Sequence, residues 1–222
     1  MTHTLHRILE LTGNDFNNDL VVMMMAAKGF NKGKSADKKK SFLEGVIKFD
    51  PVNYGEGVRL FLPDKLDGKD QKFFNNILTS LNDDSTPVAV FDESSKVASL
   101  LKYLKKKDLG LSVIVSGKVS LVYELLKDPE ISLRSYALEQ RVYKNEDRVG
   151  VYGNYYLLPS LKELEIQSMC GHGMIPYSLI KRVSFDLKLG RIDIDEAARI
   201  LERPCSCGIF NREKAKEILK QI

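Results

Sequence analysis

An alternation of strand and helix signals over residues 86–128 constrains the fold of this chain more than any other feature. "TPVAVFD" and "LSVIVSG" are short runs rich in β-branched residues, and each precedes a segment whose apolar residues have helical spacing. The first of these segments places Val97, Leu100 and Leu104 on one face. Short connections between alternating strands and helices are typical of right-handed βαβ units, whose parallel strands are covered by helices on both faces. We therefore predict an α/β fold.

The flanking sequence predicts the rest of the sheet. The apolar run "LVVMMMAA" at residues 20–27 indicates a buried strand, and a helix with Phe42, Leu43 and Val46 on one face follows a lysine-rich loop. After Pro129, "SLRSYALEQRVY", "RVGVY" and "YYLLP" are separated by turn signals, which favours an antiparallel meander. The expected architecture is a mixed, mostly parallel sheet with flanking helices and an antiparallel edge meander.

The last part of the chain has helical periodicity only. "PYSLIKRVSFDLKLG" predicts one helix, "DIDEAARILER" a second with Asp193 or Asp195 as its cap, and "NREKAKEILKQI" a third capped by Asn211. This change of pattern predicts an α/β domain over residues 1–160 and a small helical metal-binding domain over residues 161–222.

The chain has three cysteines and three histidines, and two short glycine-flanked loops in the helical part contain four of these six residues. "MCGHGMIP" holds Cys170 and His172, and "RPCSCGIFN" holds Cys205 and Cys207. A helical hairpin between the loops would bring its outer ends, and with them the loops, together. Three thiolates and one imidazole suit tetrahedral zinc. Glycine permits the tight turn that lets both ligands of a pair face one ion, since residues two apart in a strand point to opposite sides.

The same four residues admit other interpretations. One is an iron–sulfur cluster, [4Fe-4S], held by the three cysteines with His172 or a substrate at the remaining iron. Another is a cysteine nucleophile activated by His172. A third makes Cys170, Cys205 and Cys207 ordinary small buried residues and His172 a core histidine whose hydrogen bonds are satisfied. The spacing does not decide, because zinc pairs are more often C-x-x-C than C-x-C or C-x-H.

A second candidate site lies near the N-terminus. "VVMMMAAKGFNKGKSAD" runs strand, loop, "GKS", helix, and resembles the phosphate-binding loop of P-loop nucleotide hydrolases, G-x-x-x-x-G-K-[ST]. The resemblance implies nucleotide binding, with Gly33 in the loop, Lys34 on the phosphates, Ser35 on magnesium and Asp92 as the nearby acid. The sequence departs from the pattern at Lys28, which stands at the first glycine position. The alternative is a surface loop with solvated charges.

A third candidate site follows from the predicted sheet. In open α/β sheets, ligands bind outside the carboxyl ends of the strands. Asp92 follows "VAVF", and Ser116 and Gly117 follow "LSVIV", so these residues are candidates for ligand binding. In the alternative interpretation Asp92 caps a helix, and Ser116 and Gly117 form a tight turn.

Composition limits the classes of function. The longest apolar run is too short to span a bilayer and does not have the pattern of a secretory signal. An odd number of cysteines argues against a disulfide framework and for reduced thiols, which predicts a cytoplasmic protein. The net charge of +4 comes mainly from lysines in residues 28–40 and 102–108. Without stacking aromatic residues, these runs are interpreted as solvated surface and not as a nucleic-acid site.

The leading hypothesis is a cytoplasmic protein that binds zinc through the C-x-H and C-x-C pairs. The zinc is either structural or part of a catalytic site in a pocket between the sheet and the metal domain. The alternatives are an iron–sulfur protein, a non-catalytic binding module with a structural zinc, and a degenerate P-loop nucleotide binder. The sequence is compatible with a small-molecule ligand and with a homo-oligomer, and it defines neither.

Overall fold

The computed structural model of the chain describes residues 19–27, 29–56, 71–117, 119–131, 159–169, 174–205 and 208–222. The strands in this part are β1 (Leu20–Met25), β2 (Asn53–Gly55), β3 (Val88–Phe91) and β4 (Ser112–Ser116). The helices before residue 132 are α1 (Ala36–Val46), which a 3-10 turn (Ile47–Phe49) extends, α2 (Gln71–Ser80), α3 (Ser94–Lys107) and α4 (Val119–Lys127). Those after residue 158 are α5 (Leu161–Met169), α6 (Tyr177–Lys188), α7 (Ile194–Glu202) and α8 (Arg212–Leu219). None of these helices is both long enough and apolar enough to cross a membrane.

Every ladder of the described sheet is antiparallel, and the strand order is β2-β3-β1-β4. β1 pairs with β3 in a register that sets Leu20 opposite Phe91, and with β4 in a register that sets Val21 opposite Ser116. The prediction of a mostly parallel sheet is therefore wrong. β3 and β4 do run in the same direction, as expected of strands joined by a helix, but β1 lies between them.

β1, the strand that lies between β3 and β4, is apolar on both sides. Leu20, Val21 and Val22 are fully buried, and Met23 and Met24 are only 1% exposed. A strand without a polar face is suited to the centre of a sheet that is covered on both sides, whatever the direction of its neighbours. The apolar run therefore predicted a buried strand correctly, but it carried no information about the strands on either side.

Most of the individual elements agree with the periodicity. The order β3, α3, β4, α4 is confirmed, as are the helices after residue 160. Asp193 caps α7, where its carboxylate accepts the Glu196 N–H at 2.7 Å, and Asn211 caps α8, where its side chain accepts the Lys214 N–H at 3.1 Å. The predicted antiparallel meander lies in residues 132–158, outside the described residues.

Alternate residues of the strands contribute to two apolar clusters, because successive side chains of a strand point to opposite faces. Val21, Met23, Val88 and Val90 pack with buried residues of α5 to α8 and of the segments that join them. Leu20, Val22, Met24, Ala89 and Phe91 pack with α1 to α4. The first set of helices therefore lies on one face of the sheet and the second set on the other. The division of the chain at residue 160 stays a prediction, since packing does not test whether either part folds alone.

Candidate functional site

Cys205 is the member of the proposed metal set that lies within the described residues. Its N–H donates to the Glu202 carbonyl oxygen at 2.8 Å, directly after α7, and its side chain is fully buried. Cys170, His172 and Cys207 lie outside the described residues. Among the described residues, no three His, Cys, Asp or Glu side chains form a group that could hold a metal ion. The predicted zinc and iron–sulfur sites therefore stay predictions.

The residues that border the two cysteine loops lie close together. Met169 immediately precedes Cys170, Ile175 follows His172 by three residues, and both belong to the same buried cluster as Cys205. The backbone N–H of Asn211 donates to Met169 Sδ at 3.3 Å. Met169, immediately before Cys170, is therefore in direct contact with Asn211, four residues after Cys207. The approach of the loops themselves stays a prediction, because Cys170, His172 and Cys207 lie outside the described residues.

A buried polar cluster surrounds the ends of the segment that carries Cys205. Glu202 Oε1 accepts a hydrogen bond from Asn53 Nδ2 at 2.8 Å, and Glu202 Oε2 forms an ion pair with Arg212 Nε at 3.0 Å. Asn53 Nδ2 also donates to the Phe210 carbonyl oxygen at 2.9 Å. Asn53 and Glu202 are only 1% and 6% exposed, so water competes little for these bonds. Together they join β2, the end of α7 and the start of α8.

A second buried pair lies at the start of β1. Asn211 Nδ2 donates to Asp19 Oδ1 at 3.0 Å, and both residues are 1% exposed or less. Since Asn211 also caps α8 and contacts Met169, it links three elements at one end of the sheet.

Asp92 and Ser116, the candidates at the ends of β3 and β4, lie at the same end of the sheet, but β1 lies between the two strands. Asp92 binds Lys96 Nζ at 3.0 Å, and the hydrogen bond from this lysine to Asp92 is the main reason that its pKa is raised. A Cβ at Gly117 would lie 2.6 Å from Leu20 Cδ2, so the start of β1 packs directly against the turn that holds Ser116. The start of β1 therefore occupies space at this end of the sheet, between the ends of β3 and β4, where adjacent parallel strands were expected to form a cleft.

The "GKS" segment does connect a strand to a helix, but its amide groups already have an acceptor. Asp83 Oδ2 accepts the Lys34 N–H at 3.0 Å, and Asp83 Oδ1 accepts the Ala36 N–H at 2.8 Å and the Ser35 hydroxyl at 3.3 Å. These hydrogen bonds, above all those from Ala36 and Lys34, hold the pKa of Asp83 below its ordinary value. The carboxylate lies where a phosphate would bind at a helix N-terminus, so a nucleotide would have to displace it.

One lysine of the basic run at residues 28–40 is not solvated. Lys39 is 1% exposed, and its Nζ donates to the carbonyl oxygens of Asp83 at 2.7 Å and Asn82 at 3.4 Å. Burial lowers the pKa of Lys39, and the nearby Asp83 charge opposes that change. The interpretation of this run as solvated surface is therefore wrong for Lys39. Its hydrogen bonds join the turn at residues 82–84 to α1.

Sequence reasoning missed most of the buried polar residues. Asn211 was identified only as a helix cap, and neither Asp19 nor Asn53 belongs to a recognisable motif. The sequence indicated the burial of Glu202 only weakly, because Glu202 follows Ala198 by one helical turn on the buried side of α7. The chain matches no family model, and no curated protein or solved structure resembles it significantly. The geometry of the chain itself must therefore support any proposal about function.

Proposed function

We propose that this chain is a metal-binding protein in which Cys170, His172, Cys205 and Cys207 hold one zinc ion. The observation that supports this proposal is the contact between the two loop borders, where the Asn211 N–H lies 3.3 Å from Met169 Sδ. Ligand pairs on neighbouring loops can complete a single tetrahedral site. Scattered cysteines that served only as apolar residues would not require such an approach.

The proposed role of the zinc is structural. Four protein ligands close the coordination sphere of zinc, whereas a catalytic site keeps one position open for water or substrate. Such an ion would fasten the end of α5 to the end of α7. Because the ligands meet only in the folded chain, the free energy of zinc binding would add to the free energy of unfolding.

The burial of Cys205 agrees with this role and also sets a demanding test. A buried cysteine in an apolar cluster is an ordinary packing residue unless a metal uses its sulfur. Cys205→Ala removes the sulfur and keeps the site apolar. Ile209→Val is a matched control, because Ile209 is fully buried in the same cluster and loses a single methylene group.

The experiment measures zinc, iron and acid-labile sulfide in anaerobically purified full-length protein. We expect one zinc per chain in the unchanged protein and in Ile209→Val, and loss of zinc in Cys205→Ala. Ile209→Val alone should cost about 0.5–1.5 kcal/mol of stability without changing metal content. Unchanged protein that lacks metal, with three titratable thiols, would refute the proposal. Iron with stoichiometric sulfide would replace zinc by a cluster on the same cysteines.

A further inference from the structure

We propose that a basic surface formed by Phe30, Lys38, Lys48 and Lys107 binds single-stranded nucleic acid. The proposal goes beyond the zinc site and uses none of its ligands. The observation that carries it is the meeting of the two lysine-rich runs, which are far apart in sequence, beside an exposed aromatic ring.

The loop that carries Phe30 is attached to the residues that follow α3. Asn31 Nδ2 donates to the Gly110 carbonyl oxygen at 2.8 Å, and Asn31 Oδ1 accepts the Ala27 N–H at 2.7 Å. One amide group therefore closes the turn and ties it to the second lysine-rich run. Phe30 lies within this turn and is 91% exposed, so its ring is presented to solvent by a loop that is already held in place.

Lys38 lies beside the same attachment point, because α1 and α3 pack in opposite directions. An added Cβ at Gly45 would lie 2.5 Å from Tyr103 Cε1, which shows that this face of α1 contacts α3. Seven residues earlier on α1, Lys38 Nζ lies 3.4 Å from the position of an added Cβ at Gly110. Residues seven apart share nearly the same face of a helix and are about 10 Å apart along its axis. Lys38 therefore lies near the loop of Phe30.

Two further lysines lie farther along the contact between α1 and α3. Lys48 Nζ and Lys107 Nζ are 5.3 Å and 5.8 Å from the centroid of the Tyr103 ring, within the range of a cation–π interaction. Lys48 belongs to the 3-10 turn after α1, and Lys107 belongs to the last turn of α3. The basic surface therefore follows the contact between the two helices and ends at Phe30.

The ammonium groups of the basic surface have no carboxylate partner among the described residues, whereas the nearby Lys32 pairs with Asp84. Helix stability does not account for Lys38 either. It lies in the first turn of α1, where the helix dipole disfavours a cation. Like charges gathered on one surface repel each other, and an anionic ligand would remove this repulsion.

An exposed ring next to a row of cations fits a single strand better than other anions. Unpaired bases stack on aromatic rings while lysines contact the phosphates, and a duplex offers the phosphates without free base faces. A membrane is a poorer fit, because membrane binding grows with the buried apolar area. Phe30 stands between Gly29 and Asn31, so the loop offers one large apolar side chain. The interpretation of the lysine runs as solvated surface depended on the lack of a stacking aromatic residue, and Phe30 supplies one.

The experiment measures the binding of full-length protein to a labelled single strand of about 15 nucleotides, as DNA and as RNA, by fluorescence anisotropy. At about 0.1 M salt we expect a Kd of roughly 1–100 µM, the range of sequence-independent binding. Phe30→Ala should weaken binding by about 5–100-fold, and Phe30→Trp should retain it, because the larger ring keeps a stacking face. Neither variant should change urea unfolding, since the side chain is exposed.

The salt dependence of binding tests the lysines. Each phosphate contact contributes about 0.7 to the slope of log Kd against log salt concentration for a single strand. Lys38→Gln and Lys107→Gln should each weaken binding and lower this slope by about that amount.

The matched controls lie on α6, which packs on the opposite face of the sheet. Phe185 is 57% exposed, and Arg191 lies 5.8 Å from the centroid of its ring, so Phe185→Ala removes a comparable ring beside a cation. Lys188→Gln removes the same charge from an exposed lysine. We expect Phe185→Ala to leave the affinity unchanged and Lys188→Gln to leave the slope unchanged.

The possible results separate the proposal from its alternatives. Absence of binding by the unchanged protein overturns it, whatever the zinc content, and so does an affinity that Phe30→Ala leaves unchanged or that Phe185→Ala lowers equally. Equal or tighter binding of the matching duplex would show that the surface reads phosphates alone. Phe30-dependent binding to phosphatidylserine vesicles, without binding to the oligonucleotides, would assign the surface to a membrane instead.

Discussion

Asp83 Oδ1 accepts the backbone N–H of Ala36 at 2.8 Å, which places a carboxylate of the chain at the N-terminus of α1. Helix N-termini present N–H groups without partners and carry a partial positive charge, so they favour an anion. Here the turn after α2 supplies that anion. The start of α1 is thereby stabilised from a part of the chain that follows it in sequence by one helix and one strand.

Replacing Asp83 by Asn should make the free energy of unfolding of the protein less dependent on pH. The hydrogen bonds depress the pKa of Asp83 in the folded state, so its ionisation stabilises the fold above the ordinary aspartate value of about 3.9. This contribution disappears as the pH falls through the lower folded-state value. Urea unfolding from about pH 3 to pH 7 should show a deficit for Asp83→Asn that shrinks towards low pH. Asp37→Asn, at an exposed carboxylate in the first turn of the same helix, is the control.

Gly208→Ala should destabilise the protein more than Gly190→Ala. Both glycines have left-handed backbones, with φ of +77° and +66°, so each alanine incurs a backbone cost of about 1–2 kcal/mol. Nothing lies within 4 Å of an added Cβ at Gly190, whereas an added Cβ at Gly208 would lie 3.2 Å from the Tyr54 carbonyl oxygen and from Gly55 Cα. Thermal unfolding of the two variants measures the difference. Equal melting temperatures would show that the backbone at Gly208 can move away from β2.

Magnesium ATP and magnesium GTP should not bind at the "GKS" segment. The N–H groups of Lys34 and Ala36 already donate to Asp83, and a phosphate would have to break both hydrogen bonds. Titration calorimetry at millimolar nucleotide should give no saturable heat for the unchanged protein or for Lys34→Ala. A micromolar site that Lys34→Ala removes would instead support the P-loop interpretation.

Val21→Ala and Val22→Ala should destabilise the protein by similar amounts, although the two side chains face opposite sides of the sheet. Both residues are fully buried, and the loss of two methyl-sized groups with the cavity that remains costs about 2–3 kcal/mol. Because β1 contributes to both apolar clusters, we expect a single unfolding transition in either variant. Hydrogen exchange in α3 and α7 checks this. Faster exchange in α7 alone after Val21→Ala would support the division at residue 160.

Local periodicity was enough to predict most elements, but not their neighbours. β3 is buried on both sides, α3 buries one face with helical spacing, and the apolar residues of β4 are partly buried on alternate sides of the sheet. The helical connection fixes the common direction of β3 and β4, but it does not require them to be adjacent. β2 was missed because three residues, Asn53–Gly55, are too few for a period; they form a strand through pairing with β3.

The polar contacts show the same limit. The caps Asp193 and Asn211 could be predicted because a cap and the N–H groups it binds lie within one turn. Lys39 shares a helical face with Phe42, Leu43 and Val46, so its burial had a signal that the surrounding lysines obscured. The contact between Asn53 and Glu202 joins distant parts of the chain, and no local pattern specifies such a pair.

The central position of β1 determines the order in which a growing chain can complete its sheet. During synthesis β1 leaves the ribosome before either neighbour, and its ladder with β4 cannot close until Ser116 has been made. At synthesis rates of about 5–20 residues per second, this strand waits for roughly 5–20 s without its full set of partners. Exposed apolar strands are prone to aggregation, and charged residues that flank them oppose it. The lysines of residues 28–40, which follow Leu20–Met25, would repel those of a second nascent copy that pairs with this strand in parallel.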